Sequence, residues 1–176
     1  MKWQPFLHQN TAYDLSHLHP TSLTYEQPAK EDKPALRYTV EVRFSLHCFT
    51  RGIGDGEHPD PALLYSDSRE TRIFDFRRYE LSKQLPGIVQ NLSRRKCYNT
   101  GKGNFFTVVV IGAQGQPIDY DIFFEASRST RKGLVLFVQS AYARDAQHGS
   151  RPRAKPIGFY VILYNTLNNK PIRMPQ

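Results

Sequence analysis

The sequence predicts an α+β fold, in which a mostly antiparallel, twisted β-sheet of about five strands packs against one helical segment. Three observations predict it: a long stretch with strict alternation of apolar and polar residues, four further strand-like runs in succession, and one stretch with helical periodicity. The chain has 176 residues, 39% of them hydrophobic, which is enough to close the core of one domain. We expect this domain to span residues 36–176.

Residues 1–35 predict an irregular N-terminal arm, because four prolines interrupt any regular pattern there. Residues 38–48 then alternate apolar and polar side chains and predict a long half-buried strand. His47 falls on its polar face and Cys48 on its apolar face. Residues 50–68 are rich in Gly and Pro and predict a long loop. Its Gly52-Ile53-Gly54-Asp55-Gly56 run is followed by no Lys-Ser/Thr pair, which argues against a nucleotide-phosphate site.

The helical segment is predicted over residues 77–92, after a short strand at residues 72–76. The apolar residues of the segment recur at spacings of three and four, which places them in one stripe. They are Leu81, Leu85, Ile88, Val89 and Leu92. Pro86 predicts a kink or a division into two shorter helices.

Four strand-like runs complete the chain and predict an antiparallel meander. Each is rich in β-branched and aromatic residues and is bounded by turn formers. The runs are Asn104–Gly112, Ile118–Glu125, Leu134–Arg144 and Ile157–Tyr164.

Positive charge is distributed unevenly along the chain, whose net charge is +8. Residues 1–126 hold 15 Lys and Arg against 15 Asp and Glu, whereas residues 127–176 hold nine basic residues and the single acid Asp145. This asymmetry predicts a polyanionic partner, either a nucleic acid or an acidic protein surface. The alternative is that the cations only keep a β-rich surface soluble.

Several classes of protein are not favoured by the sequence. No apolar run approaches the roughly 20 residues of a membrane span, and the N-terminus lacks the apolar region of a secretory signal. Cys48 and Cys97 stand alone, as expected for free thiols in a reducing cytoplasm. Asp119 and Asp121 share a strand face, but no third ligand is evident nearby, so no metal and no cofactor is predicted.

The predicted nucleic-acid contacts lie in the turn and the loop that flank the third strand of the meander. Their guanidinium, ammonium and hydroxyl groups suit a phosphodiester, although a solvated hairpin tip has the same composition. These residues are Arg128, Arg131, Lys132, Arg151, Arg153 and Lys155.

Metal-free RNA cleavage needs an acid or base near neutral pH and cations for the developing charge on phosphorus. His47 and His148 are the candidate acid–base residues. Arg128, Arg131 and Arg144 are the candidate electrostatic stabilisers. For His47 a surface strand histidine is the alternative interpretation. Alternation in the third meander strand puts Ser140, Tyr142 and Arg144 on one face.

The strands ending in Phe137-Val138-Gln139-Ser140-Ala141-Tyr142 resemble the meander of the barnase/EndoU/colicin/RelE-like toxin RNases over residues 77–164. In that superfamily a helical element precedes a four-stranded antiparallel sheet, and catalysis is metal-free. The resemblance implies catalytic roles for Ser140 and Tyr142, and a toxin held by a neutralising protein partner. This chain departs from the pattern because no proline follows Tyr142 and because a long strand precedes the helix.

Two functions are therefore expected. The first is a cytoplasmic, metal-independent RNA-cleaving toxin of a bacterial defence or toxin–antitoxin system, acting through a groove formed by residues 128–148. The second is a non-catalytic nucleic-acid- or protein-binding accessory subunit of a defence or phage-related complex. A structural phage component is a third possibility.

Overall fold

The computed structural model describes residues 2–31, 33–113, 116–130, 133–144, 150–151 and 154–172. Within these ranges the strands are β1 (Phe6–His8), β2 (Thr11–Tyr13), β3 (Thr21–Gln27), β4 (Leu36–Phe44), β5 (Thr50–Arg51), β6 (Leu64–Ser66), β7 (Thr71–Phe74), β8 (Cys97–Asn99), β9 (Phe105–Ala113), β10 (Gln116–Arg128), β11 (Leu134–Ala143) and β12 (Lys155–Ile157). The α-helices there are α1 (Phe76–Ser82), α2 (Leu85–Gln90) and α3 (Phe159–Leu167).

A seven-stranded sheet forms the centre of the fold, in the order β12-β8-β9-β10-β11-β4-β3. Its neighbouring strands pair antiparallel, except that β11 and β4 pair parallel. The predicted α+β class with a mostly antiparallel sheet is therefore confirmed. The described sheet has seven strands instead of about five, because β3, β8 and β12 extend it at its two edges.

One face of this sheet carries the hydrophobic core, and α3 packs against it. The ring of Phe159 in α3 makes edge-to-face contacts with Tyr25 of β3 and Phe124 of β10, at centroid distances of 4.9 and 6.4 Å. The strands alternate as expected, since Leu134, Leu136 and their equivalents on neighbouring strands point into this core.

The fourth strand predicted for the meander is wrong over most of its length. Residues 155–157 form the short edge strand β12, and after Gly158 the chain continues as the helix α3. Phe159, Ile162 and Leu163 are buried, at the i, i+3, i+4 spacing of a helix. The β-branched and aromatic composition favoured a strand, but the period of the apolar residues is helical, and burial against the sheet stabilises that alternative.

The predicted division of the helical segment at Pro86 is confirmed. Helix α1 begins after Asp75, whose carboxylate accepts a hydrogen bond from the N–H of Arg78 at 2.9 Å. Helix α2 begins at Leu85, so that Pro86 occupies the first turn, where its missing N–H costs no hydrogen bond.

The regions predicted as arm and loop contain regular structure. Residues 21–27 of the arm form β3 at the sheet edge, and β5, β6 and β7 form a separate three-stranded sheet. An aromatic cluster joins this small sheet to the β1–β2 hairpin and α1. The cluster consists of Trp3, Phe6, Tyr13, Phe49, Tyr65, Phe74, Phe76 and Tyr79.

The described part of the chain contains no helix that is long and apolar enough to cross a membrane. Its longest helix, α3, has nine residues, whereas a span needs about 20.

Candidate functional site along strand β11

A groove runs along the face of β11 that points away from the core. Val135 and Phe137 form its floor, because they alternate with the buried core residues of the same strand. Two adjoining cavities of about 390 and 490 Å³ make up the groove. We call it the β11 groove and define it by the lining residues on which the chemistry depends: Arg43, Ser45, His47, Arg69, Glu70, Glu125, Ser127, Phe137, Gln139 and Ser140.

A β-bulge in β11 shapes the groove. The residues of β10 that pair with Val138 and Ser140 are consecutive, so Gln139 is the extra residue on β11. Ser45 holds this bulge, because its N–H donates to the carbonyl of Val138 at 3.0 Å and its hydroxyl donates to the carbonyl of Gln139. Gln139 and Ser140 therefore both line one cavity, although successive residues of a regular strand point to opposite faces.

His47 lies in this cavity and is held by a carboxylate. It follows β4 in a short 3-10 turn, and its Nε2 atom lies 2.7 Å from Oε1 of Glu70. The other oxygen of Glu70 accepts a hydrogen bond from Arg72 at 3.3 Å. Asp67 fixes the turn before Glu70 by accepting hydrogen bonds from the N–H groups of Arg69 and Glu70, at 2.8 and 3.0 Å. Glu70 is thus positioned by further contacts, and the backbone N–H of His47 donates to the hydroxyl of Ser45 at 3.0 Å.

The Glu70 contact fixes which nitrogen of His47 is protonated when the imidazole is neutral. Burial raises the pKa of Glu70, but the hydrogen bonds from His47 and Arg72 outweigh it, so the pKa lies below its ordinary value and the group is a carboxylate. A carboxylate only accepts hydrogen bonds, so Nε2 donates and Nδ1 carries the lone pair. Within the described ranges Nδ1 has no hydrogen-bond partner. His47 can therefore accept a proton from a group bound in the groove.

Of the residues predicted for catalysis, the structure brings together His47 and Ser140, which line the same cavity. Tyr142 lies elsewhere, with its ring stacked on Phe123 at 5.9 Å and the guanidinium of Arg78 5.4 Å from its centroid. Burial raises the pKa of Tyr142, so its hydroxyl stays protonated.

Arg144 is held by an acid of this chain. Asp121 is fully buried, and one of its oxygens lies 2.9 Å from both Nε and Nη2 of Arg144. Arg151 reaches the other oxygen of Asp121 at 3.0 Å and Asp119 at 2.7 Å. The two carboxylates considered for metal binding are thus ion-pair partners of two arginines that were predicted to contact RNA.

A third cavity, of about 420 Å³, lies between the end of β10 and the C-terminal end of α3. Arg128 and Lys170 line it together with Ser127, Asn165, Thr166, Asn169 and Pro171. None of these lining residues is acidic, and neither cation forms an ion pair within the described ranges. We call this cavity the basic end. Ser127 also lines the β11 groove, so the two sites adjoin.

The strand register separates the predicted cationic residues into two groups. Arg128 pairs opposite Leu134 and Tyr120 pairs opposite Ala143, at opposite ends of β11. With ten residues in β11, Arg128 and Arg144 lie about 30 Å apart at about 3.3 Å per residue. The structure therefore does not bring them into one groove, and Lys155 lies on the edge strand β12.

Four of the predicted site residues lie outside the described residues. They are His148, Arg131, Lys132 and Arg153.

Sequence reasoning missed Glu70, Arg69 and Lys170. Glu70 and Arg69 follow Asp67 by three and two residues, and Asp at such a position is a signal for a turn that fixes the residues after it. That signal predicts an ordered turn, but it does not predict that Glu70 lies next to His47. The position of Glu70 depends on how β7 packs.

A further histidine–serine contact has no catalytic geometry. Nε2 of His17 lies 2.8 Å from the hydroxyl of Ser82. Ser82 is fully buried in α1, and its hydroxyl donates to the carbonyl of Tyr79 at 2.7 Å. Since the hydroxyl proton is already engaged and no substrate reaches it, this contact ties the N-terminal segment to α1.

Comparison with known proteins identifies the family. The model of the YjaZ family matches residues 5–167. The chain is 33% identical to Protein YjaZ of Escherichia coli (strain K12) over 180 residues, which cover 99% of this chain and 96% of that protein. No solved structure matches. The resemblance to the barnase/EndoU/colicin/RelE-like superfamily is therefore wrong, as the helix in place of the fourth meander strand also indicates.

Proposed function

This chain belongs to the YjaZ family, and from its own geometry we propose that it binds single-stranded nucleic acid at the basic end and along the β11 groove. The observation that carries the proposal is the acid-free lining of the basic end, where Arg128 and Lys170 face one cavity. Most other cations near the groove are accompanied by acids of this chain, whereas neither Arg128 nor Lys170 forms an ion pair within the described ranges. The ammonium of Lys170 lies 4.9 Å from the ring centroid of Tyr164, which leaves its charge uncompensated by an acid.

The chemistry of the basic end suits a phosphodiester backbone. A guanidinium and an ammonium supply positive charge, and the amides and hydroxyls of the same cavity donate hydrogen bonds to phosphate oxygens. In the sequence, Arg131 and Lys132 follow Arg128 within four residues, so this part of the sequence is strongly basic.

The β11 groove suits the bases of the same strand. Phe137 forms part of its floor and is half-buried, so part of its ring is exposed in the groove, where a base could stack on it. Val135 to Ser140 span roughly 16 Å along the sheet. Only unpaired bases can stack in this way, because the bases of a duplex are already stacked on each other. These features favour a single strand.

Salt-dependent binding tests the proposal. Anisotropy of a labelled single-stranded oligonucleotide is measured for the wild type, for the Arg128→Ala/Lys170→Ala double variant and for Arg77→Ala. The matched control is Arg77, an exposed cation that lies far from the basic end. Its neighbour Arg78 contacts Tyr142, which is at the other end of β11. Each lost phosphate contact lowers the salt slope by about 0.7, so the wild type should lose about sevenfold more affinity than the double variant between about 50 and 200 mM salt.

The control should keep the wild-type slope. If the double variant binds with the affinity and slope of the wild type, the basic end does not hold phosphate and the proposal fails. If the protein binds acidic polypeptides but no oligonucleotide, the polyanion is a protein surface instead.

Binding of this kind would take place in the cytoplasm. Cys48 and Cys97 are free and buried, which agrees with a reducing compartment. The neutralising partner and the role in defence stay predictions.

A further inference from the structure

We infer that the β11 groove is a metal-independent RNA-cleaving site, in which His47 is the general base and Glu70 is a positioning residue. The inference rests on the proposed function, because the strand must first be bound. It adds the class of substrate, which is RNA, and the reaction, which is transfer of the phosphodiester to the 2′-hydroxyl.

The His47–Glu70 pair supplies the base. Glu70 holds Nε2 at 2.7 Å and thereby fixes both the orientation of the ring and the site of its lone pair. Glu70 is itself fixed by Arg72 and by the turn at Asp67. A base whose ring is held at Nε2 by a fixed carboxylate is preorganised, so little reorganisation is needed when a 2′-hydroxyl approaches Nδ1.

The cavity that contains His47 is also lined by an arginine, which can stabilise the negative charge of the reacting phosphate. Arg69 lines both cavities of the β11 groove. Arg43 lines only the cavity without His47, and Glu41 holds its guanidinium at 2.8 and 3.1 Å, so the charge for the reaction comes from Arg69. The guanidinium of Arg69 is largely exposed and lies 3.8 Å from Asp67, too far for a hydrogen bond. It can therefore donate to a phosphate oxygen and stabilise the charge that develops there.

The step balances with water as the only co-reactant. Nδ1 of His47 takes the proton of the 2′-hydroxyl, the 2′ oxygen bonds to phosphorus, and the bond from phosphorus to the 5′ oxygen breaks. The leaving 5′ oxygen takes a proton from water, and the imidazolium returns its proton to the hydroxide so formed. The products are a 2′,3′-cyclic phosphate and a 5′-hydroxyl, with no change of oxidation state. DNA cannot react, because it lacks the 2′-hydroxyl.

The basic end lies where a bound strand could continue along the groove to His47. Ser127 lines both sites, and the floor of the groove leads from there along β11 to Ser140 beside His47. A strand whose phosphates contact Arg128 and Lys170 therefore reaches the base within a few nucleotides.

The test is cleavage of a labelled RNA oligonucleotide, and of DNA of the same sequence, in excess EDTA. We compare the wild type with His47→Gln, which removes the base but keeps a hydrogen-bond donor for Glu70. We add His47→Ala, Glu70→Gln and Glu70→Asp, with His58→Ala as the matched control in an exposed loop. All are purified identically, and binding is measured in parallel.

The wild type and His58→Ala should cleave RNA and not DNA, leaving cyclic phosphate ends. Loss of the base should lower the rate about 100- to 10,000-fold, and added imidazole should restore part of it in His47→Ala. Glu70→Gln should lower kcat by about 100-fold with KM unchanged, because the ring is misplaced but the strand still binds. Glu70→Asp should recover part of this loss.

RNA that stays intact while the wild type binds it overturns this inference and leaves the proposed function standing. Absence of binding overturns both. Cleavage that survives in both His47 variants, that needs a metal, or that extends to DNA also overturns it.

Discussion

Removal of the Asp121 carboxylate should destabilise the protein severely. Asp121 is fully buried and contacts both Arg144 and Arg151. Arg144 is itself largely buried, with its side chain 17% exposed, so it cannot regain full hydration when the carboxylate is lost. Breaking a buried pair from one side costs about 3–5 kcal/mol, a large part of the roughly 5–15 kcal/mol by which a domain is stable.

Urea denaturation measures this effect. With an m-value near 2 kcal/mol/M, Asp121→Ala should lower the midpoint by about 1.5–2.5 M. The matched control is Asp119→Ala in the same strand, where a half-exposed carboxylate loses one contact to Arg151. It should cost at most about 1 kcal/mol.

A double variant separates the ion pair from the space it fills. Asp121→Leu with Arg144→Met replaces both charges by apolar groups and should recover most of the loss, because neither charge is then left buried. The reasoning is refuted if Asp121→Ala loses less than about 1 kcal/mol, or if Asp119→Ala loses as much as Asp121→Ala.

Three further predictions concern the turn, a histidine and the thiols. Gly133→Ala should cost about 2 kcal/mol or more in chemical denaturation, because φ is +85° and a Cβ atom would lie 2.6 Å from the carbonyl oxygen of Thr39; an unchanged midpoint would contradict this. Burial lowers the pKa of His17 below 6.5, so the folded state binds fewer protons and stability should be complete above about pH 6.5 and fall as the pH drops towards the folded pKa. A His17→Gln variant should show a shallower fall between pH 7 and pH 5, and an equal fall would refute the assignment. Burial raises the pKa of Cys48 and Cys97 to about 12, so a thiol reagent at neutral pH should label neither until urea unfolds the chain, and rapid labelling of the native protein would refute this.

The strands could be predicted wherever one face is core and the other is not. In residues 38–44 and 134–138 buried and more exposed side chains alternate, because only one side of β4 and β11 is buried. The same alternation can be recognised in the sequence. Residues 159–164 were wrongly predicted as a strand because their composition favours one. In the structure they form a helix whose apolar side packs against the sheet. The N-terminal hairpin was not predicted, because it is stabilised by packing in the aromatic cluster. No local sequence pattern indicates this contact.

The candidate site could be predicted only in part. His47 stands out as a titratable residue on a polar strand face, but its partner Glu70 is 23 residues away and is brought near by β7. Arg144 was chosen for its charge, whereas the register of β10 and β11 gives it Asp121 as a partner. Charge can be counted from a sequence, but whether a cation is free depends on pairing between strands.

The parallel seam between β4 and β11 governs how this chain can reach its native state. The β3–β4 pair and the β8–β11 meander each form from neighbours in sequence, whereas Ser45 and Gln139, at the end of the seam, are 94 residues apart. Closing so long a loop has a high entropic cost, so this junction should assemble last and limit the folding rate. Since His47 lies in the 3-10 turn after β4 and Ser140 lies just beyond the seam, the cavity they share forms only with that final step.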